Sequence, residues 1–201
     1  MNMVSALRPA FVLVVIFTAL LGLALPLGFV GVGQAVLPGQ AGGSLIERNG
    51  IVVGSSLIGQ NFTGAQYFHP RPSATTDTDP ENSAKTVPAP YNASSSGASN
   101  LGPTSKALVD RVQADVAVLN PGVATPVVPA DAVTTSASGL DPHISPANAA
   151  SQVVRVAAAR NIGTDRVQAL VAAQTEGRLL GLIGEPRVNV LLLNLALDAV
   201  K

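Results

Sequence analysis

The sequence contains no cysteine and no tryptophan in 201 residues, and aromatic residues make up only 3%. Without cysteine there are no disulfides, thiolate nucleophiles or zinc–thiolate sites. With so few rings, any core must be filled by Ala, Val and Leu. Charge is scarce as well: 12% of residues are charged and the formal net charge is zero. Such a surface lacks the basic excess that displaces counterions from nucleic acid, so no nucleic-acid partner is expected. The only lysines are Lys85, Lys106 and Lys201. None closes a glycine-rich phosphate loop. No Asp precedes a Lys, which removes the Asp-Lys-Thr-Gly phosphorylation motif of one large class of ATPases. The Gly-x-Ser-x-Gly nucleophile elbow is missing too. His69 and His143 are the only histidines. Ser138, Asp141 and His143 lie too close in sequence for a nucleophilic triad, and Asp-Pro-His reads as a turn. No ligand pair has a metal-binding spacing. No catalytic residue and no metal ligand is assigned.

What the chain does have is a long apolar run. Hydrophobic residues reach 47% overall, and no charge falls between Pro9 and Val32. About 20 apolar residues in a helix span the ~30 Å hydrocarbon core. The reading is a cytoplasmic segment over residues 1–8, a transmembrane helix over 9–32 and an extracytoplasmic soluble domain over 33–201. Pro26 falls late in the span, where a kink or helix end is expected. Arg8 precedes the run, and the next charges are Glu47 and Arg48, which puts the N-terminus inside and the domain outside the cytoplasmic membrane. The alternative is a signal peptide cleaved near Gly33-Gln34-Ala35, releasing a stand-alone exported binding module. Thr18 and Gly22, four apart, share a helical face that could admit another helix closely.

Beyond the anchor, Leu45-Ile46 and Ile51-Val52-Val53 flank Arg48-Asn49-Gly50, which predicts a hairpin continuing into Leu57-Ile58. Residues 74–99 are rich in Ser, Thr, Asp, Asn and Pro and read as a long polar loop, extending to about 103. Thr104 is expected to cap a helix to about Leu119, stopped by Asn120-Pro121-Gly122. Val127-Val128 and Ala132-Val133-Thr134 read as strands. Ser145-Pro146 opens a helix ended by Asn161 and Gly163, and Thr164 caps another. Val190–Leu197 is either a helix or a buried strand. The fold class is α/β or α+β: one soluble domain, strands early and helices late, preceded by one transmembrane helix. Arg71 sits between Pro70 and Pro72, which fix its backbone; it could pair with Asp141 or with a carboxylate of a partner. Asn100, Asn189 and Asn194 read as amides that pin the backbone at turns and helix starts.

Several turn-rich blocks are distinctive as strings. They are Gly43-Ser44-Leu45-Ile46, Gly54-Ser55-Ser56-Leu57-Ile58-Gly59-Gln60-Asn61-Phe62, and Tyr67-Phe68-His69-Pro70-Arg71-Pro72-Ser73-Ala74. Later come Ser136-Ala137-Ser138-Gly139-Leu140-Asp141-Pro142-His143-Ile144-Ser145-Pro146 and Gly184-Glu185-Pro186-Arg187-Val188-Asn189-Val190. In this order they resemble the KdpC family, the C subunits of bacterial potassium-transporting Kdp ATPases, over nearly the whole chain. The resemblance implies a non-catalytic subunit that works with a channel-like potassium-binding subunit and a P-type ATPase subunit. It implies roles in assembly and in raising the nucleotide affinity of the ATPase subunit, with ATP as cofactor and Gln60, the glutamine of Leu-Ile-Gly-Gln, as a nucleotide ligand. A domain outside the membrane would hold Gln60 across the bilayer from cytoplasmic ATP. That placement favours an indirect effect through the conformation of the partners.

Overall fold

A computed structural model describes residues 3–119 and 127–200. The chain falls into two compact units, Met1–Ser55 and Ser56–Lys201.

The first unit opens with α1 (Met3–Phe17), a π-helical stretch (Thr18–Ala24) and α2 (Leu25–Val36). Ala6–Val36 is a single helical run long and apolar enough to cross a membrane, and none of it is buried. An unburied helix that is apolar all round suits lipid. Pro26 does not end it. A proline removes one N–H and its ring presses on the carbonyl four residues back. Here the Leu25 N–H reaches the Leu20 carbonyl, five residues back. The wider π register takes up the misfit in place of a break. A short turn of helix, α3 (Pro38–Ala41), leads into the hairpin of β1 (Leu45–Arg48) and β2 (Ile51–Ser55). Asn49 and Gly50 both take positive φ at its turn, as the Asn-Gly pair predicts. The strand stops at Ser55, short of the expected continuation, because Ser56 and Leu57 turn away.

In the second unit, β3 (Thr76–Thr78) and β4 (Thr86–Pro88) form a small hairpin inside what reads from the sequence as a plain polar loop. Then come α4 (Lys106–Leu119) and α5 (Ala130–Val133). The first starts two residues after Thr104, with the Ser105 carbonyl accepting the Val109 N–H at 3.1 Å. Its predicted stop at Asn120-Pro121-Gly122 lies outside the described residues. The two predicted strands nearby are not strands. Val127 and Val128 are irregular, and Ala130–Val133 is a helical turn begun by Pro129 and closed by Thr134 Oγ1 donating to the Ala130 carbonyl at 2.7 Å. Pro129 cannot donate to a ladder, and a Thr hydroxyl back-bonded to i−4 favours the turn.

The core follows. It comprises β5 (His143–Ile144), α6 (Pro146–Arg160), α7 (Thr164–Ala173), β6 (Thr175–Glu176), β7 (Arg187–Asn189) and α8 (Val190–Asp198). The strands pair in the order β5-β7-β6, all antiparallel. Among the described residues every ladder is antiparallel, which decides for α+β. Buried against the sheet are Val153 and Val156 of α6, Val167 of α7, and Leu193 and Leu197 of α8, with Phe68 as the one fully buried ring. Burying each such side chain contributes roughly 1.5–3 kcal/mol. Ser145 caps α6, its Oγ accepting the Asn148 N–H at 3.0 Å, with Pro146 in the first turn. Asn161 ends it in the left-handed conformation, φ 54°. Thr164 is not a cap: it lies inside α7, and Gly163 precedes the helix without any side-chain cap. Asn189 settles the last element as a helix. Its Oδ1 accepts the Leu192 N–H at 3.1 Å, which closes the first turn directly after β7.

Candidate functional site

Three segments distant in sequence converge on Arg71. Its Nη1 donates to Asp141 Oδ2 at 3.0 Å, with both side chains about three-quarters buried. Nη2 reaches the Thr134 hydroxyl and the Thr135 carbonyl at 3.4 Å. Asp141 Oδ1 accepts the His143 N–H at 2.9 Å, closing the Asp-Pro-His turn, and the His143 ring Nδ1 lies 3.5 Å from the same oxygen. Burial alone would push the Asp141 carboxyl up. Hydrogen bonds from His143 and Arg71, with the Arg71 charge, outweigh it and hold the carboxyl below the usual range. Tyr91 arrives from the polar loop, and its hydroxyl donates to the Arg71 carbonyl at 2.9 Å. Burial, reinforced by the charge of Asp141, raises the Tyr91 hydroxyl well above its ordinary value, so it stays protonated and a donor.

Small hydroxyls stitch the same segments together. Ser73 Oγ donates to the Gly139 carbonyl at 2.8 Å and accepts the Tyr91 N–H at 3.0 Å. Thr75 Oγ1 donates to the Ala89 carbonyl at 2.6 Å. The buried Ser136 Oγ accepts the Gly139 N–H at 3.0 Å, and the Ser136 N–H donates to the Pro72 carbonyl at 3.0 Å. The loop over residues 74–99 is therefore tied at several points, among them the Gly97 N–H on the Ser138 carbonyl at 2.9 Å and the Ser99 hydroxyl on the Thr135 hydroxyl at 3.3 Å. Two glycines make the junction possible. A Cβ on Gly59 would land on the Tyr91 ring and 2.8 Å from the Asp141 carbonyl oxygen. Gly139 has φ 70°, and a Cβ there would strike the Thr75 methyl.

A second polar network adjoins the first. Gln152 Oε1 accepts the His69 N–H at 2.7 Å and Arg155 Nη2 at 2.6 Å, and its Nε2 donates to the His69 carbonyl at 3.1 Å. Asn148 donates to Asp131 Oδ2 at 3.0 Å, beside the Ser145 N–H at 2.7 Å. Burial would raise the Asp131 carboxyl, but these bonds prevail and its pKa is lowered. His69 is lowered by burial first and then by the Arg155 charge, which favours the neutral ring. Between the networks opens a cleft of about 440 Å³, lined among others by His69, Arg71, Tyr91, Gln152 and Arg155.

The remaining sequence-predicted residues lie elsewhere. Gln60 is half-buried in the irregular stretch after Gly59, whose N–H donates to the Leu140 carbonyl at 2.8 Å; its successors Asn61 and Phe62 line the cleft. Asn194 holds the Phe68 backbone, and Asn189 Nδ2 donates to the Ser56 carbonyl at 2.8 Å. Asn100 is exposed, left-handed at φ 52°, with its amide on the Ala98 carbonyl at 3.2 Å. Thr18 and Gly22 belong to the π-helical stretch of the first unit, exposed and on one face, with Thr18 Cγ2 3.9 Å from where a Gly22 Cβ would stand. Tyr91, Asn148, Gln152 and Asp131 were not singled out by the sequence. Only Asn148 left a trace, as the third residue after the Ser145 cap. Among the described residues no three His, Asp or Glu side chains cluster as metal ligands.

These blocks of convergent turns are those whose order suggested a family. A model of the family KdpC, described as K+-transporting ATPase, c chain, matches residues 7–199. The chain belongs to the KdpC family. It is 61% identical over 198 residues to the Potassium-transporting ATPase KdpC subunit of Methylorubrum extorquens, covering 97% of each chain. It is 61% identical to the one of Methylobacterium nodulans and 59% to the one of Bradyrhizobium diazoefficiens, covering 98% of each chain in both cases. In this KdpC-family chain the apolar helix from Leu7 onward and the whole Arg71 junction fall inside the matched residues.

Proposed function

We propose that the chain is a non-catalytic subunit of an ATP-driven, high-affinity potassium transport complex, assisting assembly and raising the ATP affinity of the ATP-hydrolysing subunit. The observation that carries this reading is the likeness, at about 60% identity over nearly the full length, to chains named Potassium-transporting ATPase KdpC subunit. The geometry fits an accessory role. The best-buried polar side chains of the soluble unit, Thr75, Ser136, Asn148, Asn189 and Asn194, are engaged with backbone groups or with neighbouring polar side chains. Its partners on this reading are a channel-like potassium-binding subunit and a P-type catalytic subunit. The chain is a single-pass protein of the cytoplasmic membrane, with Arg8 inside and the soluble unit outside. ATP affinity is then raised indirectly, by favouring one conformation of the partners.

Two measurements test this. Pull-down of the tagged chain in mild detergent should bring two larger membrane subunits with it, and the complex lacking this chain should need several-fold more ATP for half-maximal activity. A cysteine at Ser83, exposed in the turn between β3 and β4, should react with an impermeant thiol reagent on whole cells. Labelling only after lysis overturns the outside placement.

A further inference from the structure

The hairpin joining β6 to β7 is charged at its base and apolar at its tip. Glu176 and Arg187 face each other in register, with Arg187 Nε on Glu176 Oε2 at 2.9 Å. One step out, Arg178 Nη2 meets Glu185 Oε2 at 2.7 Å. Beyond this rung the six residues 179–184 carry no charge. Leu179, Leu180, Leu182 and Ile183 are 66%, 84%, 83% and 63% exposed. The tip is held rigidly: Leu179 and Ile183 exchange both backbone hydrogen bonds at 2.9 and 3.0 Å. Leu180 takes φ 54°, an unfavourable conformation for a leucine that gives its side chain no buried contact. Four large apolar side chains on one tight turn form a patch with no use in water.

The chain's own anchor supplies a surface that suits it. Ser55 Oγ donates to the Gly43 carbonyl at 2.7 Å, so the chain leaves the β1–β2 hairpin where it entered. The covalent reach from Val36, the end of the apolar helix, to Ser55 is thus set by the residues from Val36 to Gly43. Even fully extended, they span no more than about 25 Å. A unit the length of Ser56–Lys201 has a radius of gyration of about 15 Å. A unit of that size on so short a tether is kept within reach of the lipid headgroups. An uncharged tip above paired charges matches the polarity profile of that interface, where apolar groups enter the acyl boundary and ions stay among headgroups.

We propose that the Leu179–Ile183 turn dips into the bilayer interface and so fixes how the soluble unit stands on the membrane. The inference holds for either orientation of the chain.

The absence of cysteine makes the test direct. Leu182→Cys in the full chain, reconstituted in phosphatidylcholine–phosphatidylglycerol vesicles and carrying a fluorophore, should be quenched several-fold more by a lipid-borne nitroxide than by aqueous iodide. Ser83→Cys should show the reverse preference. Adding Leu180→Asp to Leu182→Cys should move that label back toward the aqueous pattern. A Leu182 label as open to iodide as the Ser83 label overturns the proposal. So does a label shielded from both quenchers, which would mean that protein, such as a second copy, covers the tip.

Discussion

Asn194 takes both hydrogen-bonding groups of the Phe68 backbone: its Oδ1 accepts the Phe68 N–H at 2.8 Å, and its Nδ2 donates to the Phe68 carbonyl at 3.0 Å. Phe68 has no exposed surface and Asn194 has 1%. The amide thus replaces a strand partner for an irregular segment that the fold must bury. Asn194→Ala would leave two buried groups unpaired, at roughly 1–3 kcal/mol each. The expected loss is about 3 kcal/mol, read as a lower urea midpoint of the full chain in detergent. An unchanged midpoint contradicts the pairing.

Gly59 and Gly139 leave room for the loops that meet at Arg71. Gly59→Ala should cost about 1–3 kcal/mol, as overpacking does, because the added methyl meets both the Tyr91 ring and the Asp141 backbone. Gly139→Ala adds strain at φ 70° to a similar clash. Gly102→Ala meets nothing within 4 Å and should stay within about 0.5 kcal/mol of the parent. Thermal melts of the three variants check the order.

Local chemistry was legible in the sequence wherever one residue type forces one geometry. Asn49-Gly50 gave the hairpin turn, Ser145-Pro146 the start of α6, and Asn161 its end. Arg71, locked between prolines, meets one of the two kinds of partner its position offered, Asp141. Val127-Val128 and Ala132-Val133 misled because short β-branched runs suggest strands, whereas Pro129 and the Thr134 hydroxyl make the local turn helical. The ties from Ser73, Thr75 and Tyr91 across the polar loop were invisible for another reason. Their partners lie as many as 66 residues away and are mostly backbone carbonyls, which every sequence possesses. The leucine-rich tip at Leu179–Ile183 drew no notice, because exposure is not written in composition.

Acid should unfold the chain partly through Asp141. Its folded pKa is depressed, so it contributes fully above the ordinary carboxylate value of about 3.9, where it is ionised in both states. As pH falls from there through the lower folded value, the unfolded chain takes up the proton first and the contribution is lost. Asp131 acts with the same sign. His69, also depressed, begins its loss earlier, as pH falls below about 6.5. Asp141→Asn should lower stability near neutral pH and make the fall below about pH 4 shallower. A slope equal to that of the parent would show that the carboxylate is not held in its charged form.

The face of Thr18 and Gly22 can be examined without disturbing the soluble unit. A Cβ on Gly22 would find only the Thr18 methyl, at 3.9 Å, so the helix itself tolerates bulk there. Thr18→Leu with Gly22→Leu should therefore weaken co-purification with partner subunits only where a neighbouring helix approaches this face. Undiminished co-purification would make it a lipid-facing surface.

Gln60 separates a structural role from nucleotide binding. It follows Gly59, whose N–H is tied to Leu140 and whose Cα lies under Tyr91, so its backbone position is fixed by the junction. Its carbonyl accepts the Phe62 N–H at 3.0 Å, in a tight bend before the cleft. A glutamine amide in that setting can hold its own domain together or present donors and acceptors to a ligand. Loss of one neutral hydrogen bond costs roughly 0.5–1.5 kcal/mol, which sets the scale expected for Gln60→Ala. In the structural case the chain melts lower, while the ATP needed by the assembled pump for half-maximal activity changes little. In the ligand case the melt is unchanged and apparent ATP affinity falls several-fold, since about 1.4 kcal/mol is a factor of ten. On the proposed outside placement the structural outcome is expected, because the soluble unit would then lie across the bilayer from cytoplasmic ATP. An unaltered melt together with weakened ATP binding by the purified chain would overturn both the role given to Gln60 and the outside placement on which it depends.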